Sequence, residues 1–195
     1  MEHSLPLSDT DIRPPLKNRL MSSHRGEADT VILDELGLRR GEARVDVAIV
    51  NGSVHGYEIK SDRDSLRRLT GQIELYGKVL DHATLVVGGR HLDKAIKLLP
   101  EWWGVLHVEG TRCGPRFKTI RRAKKNPGRD ARILAELLWL DDAINLLAQH
   151  GLDRGVRGKP RRIIWDRICD HLDIEVIASA VRVNLKARAK HLTAA

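Results

Sequence analysis

The sequence predicts an α/β protein with a mixed sheet, and three observations carry that prediction. Over the first 110 residues, short β-rich runs alternate with amphipathic stretches at helical spacing. Asn51-Gly52-Ser53 separates two of those runs as a turn does, which makes them an antiparallel hairpin. ATLVVGG, residues 83–89, is a short apolar run of the kind buried on both faces of a sheet. With 195 residues and 42% hydrophobic content, the chain has enough apolar surface for one domain, or one with a small appendage.

The elements follow in chain order. SDTDIRPPLKNRLM, residues 8–21, offers Ser8 or Thr10 as N-cap and Ile12, Leu16 and Leu20 at helical spacing, which puts Pro14 and Pro15 in the first turn. TVILDELGL, ARVDVAIV and HGYEIK then read as three strands of a meander. Asp64 or Ser65 caps a helix through LRRLTGQIELYGKVLD, whose Leu66, Leu69, Ile73, Tyr76 and Leu80 share a face. The strand ATLVVGG, the helix HLDKAIKLL and the strand WGVLHVE complete the series. Pro100-Glu101-Trp102-Trp103-Gly104 before the last strand reads as a cap on the core rather than as a platform for bases.

Charge divides the chain. Residues 1–110 carry 15 Lys/Arg against 17 Asp/Glu, a balance of −2, whereas residues 111–195 carry 19 against 9, a balance of +10. The run TRCGPRFKTIRRAKKNPGR, residues 111–129, holds eight basic side chains and no acidic one, which suits a connector or a surface facing a polyanion. A domain boundary is therefore expected near 110, with residues 1–110 as the α/β unit and 111–195 as a basic helical region. Cys113 and Cys169 lie far apart, and the nine His have no zinc-ligand spacing, so neither a disulfide framework nor a structural zinc is expected. No run has signal-peptide or membrane-spanning length, and the expected address is the cytoplasm.

The chemistry gathers in the hairpin. Glu58 and Lys60 are two residues apart in a strand and so share one face, with Ile59 on the other. A hairpin centred on Gly52 pairs residues whose numbers sum to 104, which sets Asp46 opposite Glu58. Two carboxylates that close repel unless a positive charge lies between them, and burial raises the cost. Oxygen ligands of this kind suit a hard cation such as Mg²⁺ or Mn²⁺, and Lys60 can orient an attacking water or stabilise charge on a phosphate. One turn apart on the next helix, Gln72 and Tyr76 share a face. VVGGRHLDK, by contrast, lacks the GxxxxGK[ST] of a phosphate loop, so Gly88-Gly89 reads as a structural turn.

The segment RVDVAIVNGSVHGYEIKSDRDSLRRLTGQIELYGKVLDHATLVVG resembles the core of the PD-(D/E)XK nuclease superfamily: Asp in one strand, Glu-x-Lys in the next, then the Gln-x-x-x-Tyr of its RecB-like branch. GYEIKSDRDSL with the later PEWWGV is more closely similar to a family of small bacterial and phage proteins assigned to that superfamily. The resemblance covers about residues 8–110 and implies a restriction-endonuclease-like αβββαβ core followed by helices. It implies Asp46 and Glu58 as metal ligands, Lys60 as catalytic lysine, and Gln72 and Tyr76 as shaping or DNA-contacting residues. A further acidic ligand is open among Asp11, Glu27 and Glu35, of which Glu35 is favoured as a strand neighbour of Asp46. The leading Pro of the motif is replaced by Val45.

ARILAELLWLDDAINLLAQH is helical by its spacing, and two helices flank GLDRGVRGKP in a pattern similar to a SAP-type helix, turn, helix unit. That resemblance places Arg154, Arg157, Lys159, Arg161 and Arg162 at one turn and helix start, suited to phosphate contacts, and Arg121, Arg122, Lys124 and Lys125 of the basic run are further candidates for holding nucleic acid. The expectation is an Mg²⁺- or Mn²⁺-dependent nuclease, an endonuclease acting on DNA, with no membrane partner and a homodimer left open. Its counterpart is a nuclease-fold nucleic-acid-binding or regulatory protein without turnover.

Overall fold

Six strands form one sheet in the computed structural model, which describes residues 5–193. The chain runs through α1 (Asp9–Ser23), β1 (Val31–Leu38), β2 (Ala43–Val50), β3 (Val54–Lys60), α2 (Leu69–Gly77), β4 (His82–Gly88), α3 (Leu92–Leu98), β5 (Gly104–Thr111) and β6 (Gly114–Arg121). Four helices follow: α4 (Ala131–Ala135), α5 (Leu140–Gln149), α6 (Arg161–His171) and α7 (Ile174–Thr193). Strands lie in the sheet in chain order; β3, β4 and β5 are parallel, and the remaining neighbours are antiparallel. The two parallel steps require crossovers, which α2 and α3 supply. The mixed α/β sheet expected from the sequence is present, with its helical C-terminal region.

Each face of the sheet has its own apolar layer. Ile12, Leu16 and Leu20 of α1 lie on Val47, Ile49, Tyr57, Ile59, Val86, Leu106 and Val108. The other face is larger. There Val45, Ala48, Val50, Leu85 and Val87 meet Tyr76 of α2, Trp103, and residues of α4 to α7 such as Leu134, Leu147, Ile164, Ile177 and Val181. The helical region thus shares one buried cluster with the sheet. Trp103 is fully buried, as the core-cap reading expected, and stacks on Tyr76 at 5.8 Å between ring centroids.

Three details differ from the sequence reading. Pro14 and Pro15 occupy the second turn of α1, not the first; the carbonyls of Thr10 and Asp11, which lose their helical donors, lie at exposed residues where water can replace them. α2 begins at Leu69, because the Asp64 carboxylate turns back to accept from the N–H of Ser61 (2.8 Å) and its hydroxyl (2.6 Å), closing a turn instead of capping a helix. Part of the basic run is strand β6, so the sheet continues past residue 110. In that strand Arg116 and Lys118 point to solvent while Phe117 between them packs on the α1 side, the alternation of an edge strand.

Arg129, counted in the same basic run, is a buried strut. Its guanidinium holds Asp81 at 2.7 Å and also pairs with Glu175 of α7. Asp81 in turn accepts from the N–H of Val54 at 2.7 Å, and Asn126 donates to the carbonyls of Gly77 and Leu80. This ties the turn between α2 and β4 to the C-terminal helices.

A close approach between side chains and backbone in the sheet occurs at Gly56. A Cβ there would lie 2.5 Å from Leu80 Cδ1 and 2.9 Å from Val45 Cγ1. Gly56→Ala is expected to lower stability by about 1–3 kcal/mol through overpacking, measured as a lower urea midpoint at unchanged slope. Gly52→Ala, at the hairpin tip with nothing within 4 Å of the added carbon, should change it by no more than about 0.5 kcal/mol. Equal losses at the two positions would show that packing at Gly56 is not what matters.

Candidate active site

The β2–β3 hairpin pairs Val47 with Tyr57, Ala48 with Gly56, Ile49 with His55 and Val50 with Val54, the register in which residue numbers sum to 104. Its loop is closed by Asn51, whose side chain accepts from the N–H of Ser53 at 3.1 Å. Glu58 and Lys60 share the face toward α2, and Ile59 points into the α1 layer.

Glu58 is 1% exposed and fully engaged. One carboxylate oxygen accepts from the Lys60 ammonium and from Gln72 Nε2 at 2.6 Å, the other from the Tyr76 hydroxyl at 2.6 Å. Gln72 and Tyr76 therefore reach the same carboxylate from consecutive turns of α2. The Tyr76 oxygen also lies 2.5 Å from the carbonyl of Arg44, and its single proton serves one of the two acceptors at a time. Burial, with the Glu58 charge next, pushes the Tyr76 hydroxyl far above the ordinary phenol range, so it remains a donor. Gln72 Oε1 is buried with no partner among the described residues.

Asp46 sits where the ladder stops. Its register partner would be Glu58, but the ladder ends at the pair Val47–Tyr57, and the Asp46 carboxylate itself accepts the N–H of Ile59 at 2.7 Å. On the other side the β1–β2 ladder skips Glu35 and Asp46 between the pairs Asp34–Val47 and Leu36–Val45. Glu35 there takes a φ of 53°, a left-handed conformation that an ordinary side chain adopts only when its surroundings enforce it. Arg13 of α1 fills the gap. It donates to Glu35 at 2.7 Å, to the Asp46 carbonyl at 2.8 Å and to the Asp46 carboxylate at 3.2 Å, and it also holds Asp9.

Of the residues the sequence singled out, Asp46, Glu58, Lys60, Gln72 and Tyr76 come together. Glu35 does not join them as a third carboxylate: it faces Arg13 and, at 4.0 Å, Arg44. No group of three or more His, Cys, Asp or Glu side chains able to hold a metal occurs among the described residues. Asp46 and Glu58 nevertheless keep the character of a cation site. Burial, and then the Glu58 charge, push the Asp46 carboxyl up to about 7, so a proton is held where a cation would offset the same repulsion. The unpartnered Gln72 oxygen beside them suits a water of a hydrated ion.

The basic residues separate into two groups. Arg121 is partly committed inside the fold, its guanidinium donating through Nε to the carbonyl of Trp103 (2.6 Å) and through Nη2 to that of Pro100 (3.1 Å). Arg122, Lys124 and Lys125 are exposed. Lys159, Arg161 and Arg162 are exposed at the start of α6, joined by Arg154 and Arg157 in a loop bent at Gly151, Gly155 and Gly158, all with positive φ. Sequence reasoning missed Arg13, whose position in an exposed-looking helix carried no signal; only its spacing of four from Asp9 hinted at an ionic role.

With that geometry in place, comparisons with known proteins give a consistent family. The model of a family described as bacteriophage P4 protein cII matches residues 6–194. Protein cII of enterobacteria phage P4 is 29% identical over 125 residues, which cover 64% of this chain and 47% of that protein, so the chain spans about half the length of this relative. Among solved structures, a protein of unknown function from Silicibacter pomeroyi aligns over 72% of this chain and 87% of its own, with 20% identity and a TM-score of 0.40. The Pyrococcus furiosus SfsA structure in complex with Ca²⁺ aligns over 63% and 68%, with 15% identity and a TM-score of 0.38.

The raised Asp46 carboxyl has a direct consequence for stability. Its ordinary value is 3.8 and its folded value about 7, so the folded chain holds an extra proton between those limits. The associated stability is present below about pH 4 and is lost as pH rises through 7. Asp46→Asn cannot ionise, so in EDTA its melting temperature relative to wild type should climb steadily from pH 4 to pH 8. A pH-independent difference would rule out a perturbed Asp46.

Proposed function

The chain belongs to the bacteriophage P4 protein cII family, and for this member of it we propose a metal-dependent nuclease that hydrolyses phosphodiester bonds in DNA, as an endonuclease. The observation that carries the reading is the buried Glu58–Lys60 pair, held by Gln72 and Tyr76 beside a proton-retaining Asp46. A carboxylate and an ammonium buried together have a large desolvation cost, and the perturbed Asp46 carboxyl beside them is of the kind that concentrates at functional sites. The resemblance of Asp46, Glu58-x-Lys60 and Gln72-x-x-x-Tyr76 to the PD-(D/E)XK pattern points the same way.

In this reading Asp46 and Glu58 hold Mg²⁺ or Mn²⁺. The ion, when bound, supplies a water of lowered pKa and offsets charge on the scissile phosphate. Gln72 and Tyr76 fix the rotamer of Glu58, and the Ile59 N–H fixes Asp46. Lys60 carries the positive charge that orients the attacking water or stabilises the phosphate as charge builds on it. Arg13 neutralises Asp46 from the α1 side and leaves its Oδ2 to the backbone of β3. The exposed cations around α6 hold the DNA backbone.

A second reading has an observation of its own. Glu58 is 1% exposed, its oxygens are occupied by internal donors, and Asp46 already has Arg13, so every charge of the site is internally compensated. That favours a nuclease-fold protein that binds DNA and regulates without cutting.

The two readings part in one assay. Purified protein is incubated with supercoiled, linear and single-stranded DNA in Mg²⁺, Mn²⁺ or EDTA, beside Lys60→Ala. Nuclease action predicts metal-dependent nicking or cleavage that falls at least about 100-fold in Lys60→Ala while affinity stays near wild type. DNA binding without cleavage under every metal selects the regulatory reading. Binding itself is tested by replacing Lys159, Arg161 and Arg162 with Gln together: each lost phosphate contact should reduce the slope of log affinity against log salt by about 0.9, and cleavage at saturating protein should persist. An unchanged slope would move the DNA surface away from α6.

A further inference from the structure

The Arg13 guanidinium is shared among five oxygens, and its hold on them is uneven. Nη1 donates to Glu35 at 2.7 Å and to the Asp46 carbonyl at 2.8 Å, and Nε donates to Asp9 at 3.0 Å. The two bonds from Nη2, to the other Asp9 oxygen and to Asp46 Oδ1, are the longest at 3.2 Å. Asp9, Glu35 and a backbone carbonyl therefore keep the guanidinium in place by themselves. Its bond to the Asp46 carboxylate is the one it loses at least cost.

Asp46 divides its two oxygens between unlike partners. Oδ2 accepts the N–H of Ile59 at 2.7 Å in place of a ladder acceptor, and giving it up would leave a donor of buried Ile59 unpaired. Oδ1 has the 3.2 Å bond to Arg13. It is thus the oxygen open to an incoming ligand, and the group standing on it is already a cation. The contact lies at a rim that water reaches: the Arg13 and Asp46 side chains are 21% and 19% exposed, and that of Glu35 is 45% exposed. Glu58, by contrast, is closed on both oxygens by Lys60, Gln72 and Tyr76.

We propose that Arg13 gates the cation site at Asp46: its guanidinium and a divalent ion compete for Oδ1, and the ion enters as Arg13 withdraws onto Asp9 and Glu35. The inference rests on the reading that Asp46 and Glu58 hold Mg²⁺ or Mn²⁺, and it adds that the site is closed by default. An arginine that only joins α1 to the sheet needs Asp9, Glu35 and the Asp46 carbonyl; the further bond to the carboxylate sets a positive charge on the oxygen a metal requires. Two cations on one oxygen repel, so each weakens the hold of the other by the same factor. Arg44 supplies an internal control, because its guanidinium lies 4.0 Å from the same Glu35 and among the described residues forms no ion pair with Asp46.

The test is a calorimetric titration of Mn²⁺ into the full chain without DNA, with the metal-induced rise in melting temperature as a second readout. Arg13→Gln should bind the ion at least about tenfold more tightly than wild type. Arg44→Gln, which removes an exposed and screened charge, should stay within about twofold of wild type. In a chain that already carries Asp46→Asn, Arg13→Gln should bring no gain, because the contested charge has gone. Should Arg13→Gln lack a cooperative melt, the wild-type chain carries the test: saturating Mg²⁺ should shift the Arg13 Nε–H resonance, and should not do so in Asp46→Asn. The gate is overturned if Arg13→Gln binds no more tightly than wild type, if neither chain binds metal, if Arg44→Gln gains as much, if the gain persists with Asp46→Asn, or if the Arg13 resonance ignores Mg²⁺. A tenfold gain in metal affinity without cleavage of any DNA removes the nuclease reading and supports the gate, whereas cleavage with unchanged metal affinity in Arg13→Gln removes the gate alone.

Discussion

One buried carboxylate sets the terms for the centre of this molecule. At 1% exposure the oxygens of Glu58 need donors from the protein, and they take one from their own strand (Lys60) and two from α2 (Gln72, Tyr76). Those bonds fix the helix against the sheet in rotation as well as distance, because Gln72 and Tyr76 are one turn apart and both must reach the same group. Tyr76 is then backed by Trp103 at the start of β5, so the demand made by one charge passes through α2 to the fifth strand's entry. Removing the carboxylate would leave an ammonium, an amide and a hydroxyl buried together, which is why such a cluster is hard to reach by stepwise substitution.

The neighbouring carboxylate is handled differently. Asp46 takes the place of a backbone acceptor for Ile59, and the two ladders part around it. The parting leaves Glu35 at a φ of 53° and opens the space that Arg13 enters from α1. Arg13 thus joins the α1 layer to the other face of the sheet through the gap that Asp46 creates. An unbroken ladder at this point would bury the strand centre in apolar contacts and exclude any ion; the break is the structural condition for a site here, whether its occupant is a cation, a proton or the arginine alone.

What the sequence disclosed and what it withheld divide along physical lines. The hairpin register was legible because a short Asn-Gly-Ser loop leaves few ways for two strands to meet, and period-two alternation then places Glu58 and Lys60 on one face. Gln72 and Tyr76 were legible from helical spacing. Arg13 was not, because an arginine on an amphipathic helix looks the same whether it faces solvent or a gap that exists only in the folded sheet. β6 was masked by its own charge: an edge strand needs apolar residues on one side only, and Arg116 and Lys118 flank a single Phe117. The helix cap at Asp64 failed because a nearer partner, Ser61, was available for the same carboxylate.

The C-terminal region shows how composition misleads when partners are ignored. Its charge balance of +10 suggests a uniform polyanion-binding surface, yet several of those cations are committed inside the fold. Arg129 braces Asp81 and Glu175; Arg121 satisfies two carbonyls beside Trp103; Arg188 pairs with Asp142 and stacks over the exposed Trp139 at 4.1 Å. What remains free lies along β6 and just after it, and around the α5–α6 loop. Since counterion release depends on cations that reach phosphates, net charge overstates the electrostatic grip by every arginine used as a strut. The free cations, not the net charge, set that grip.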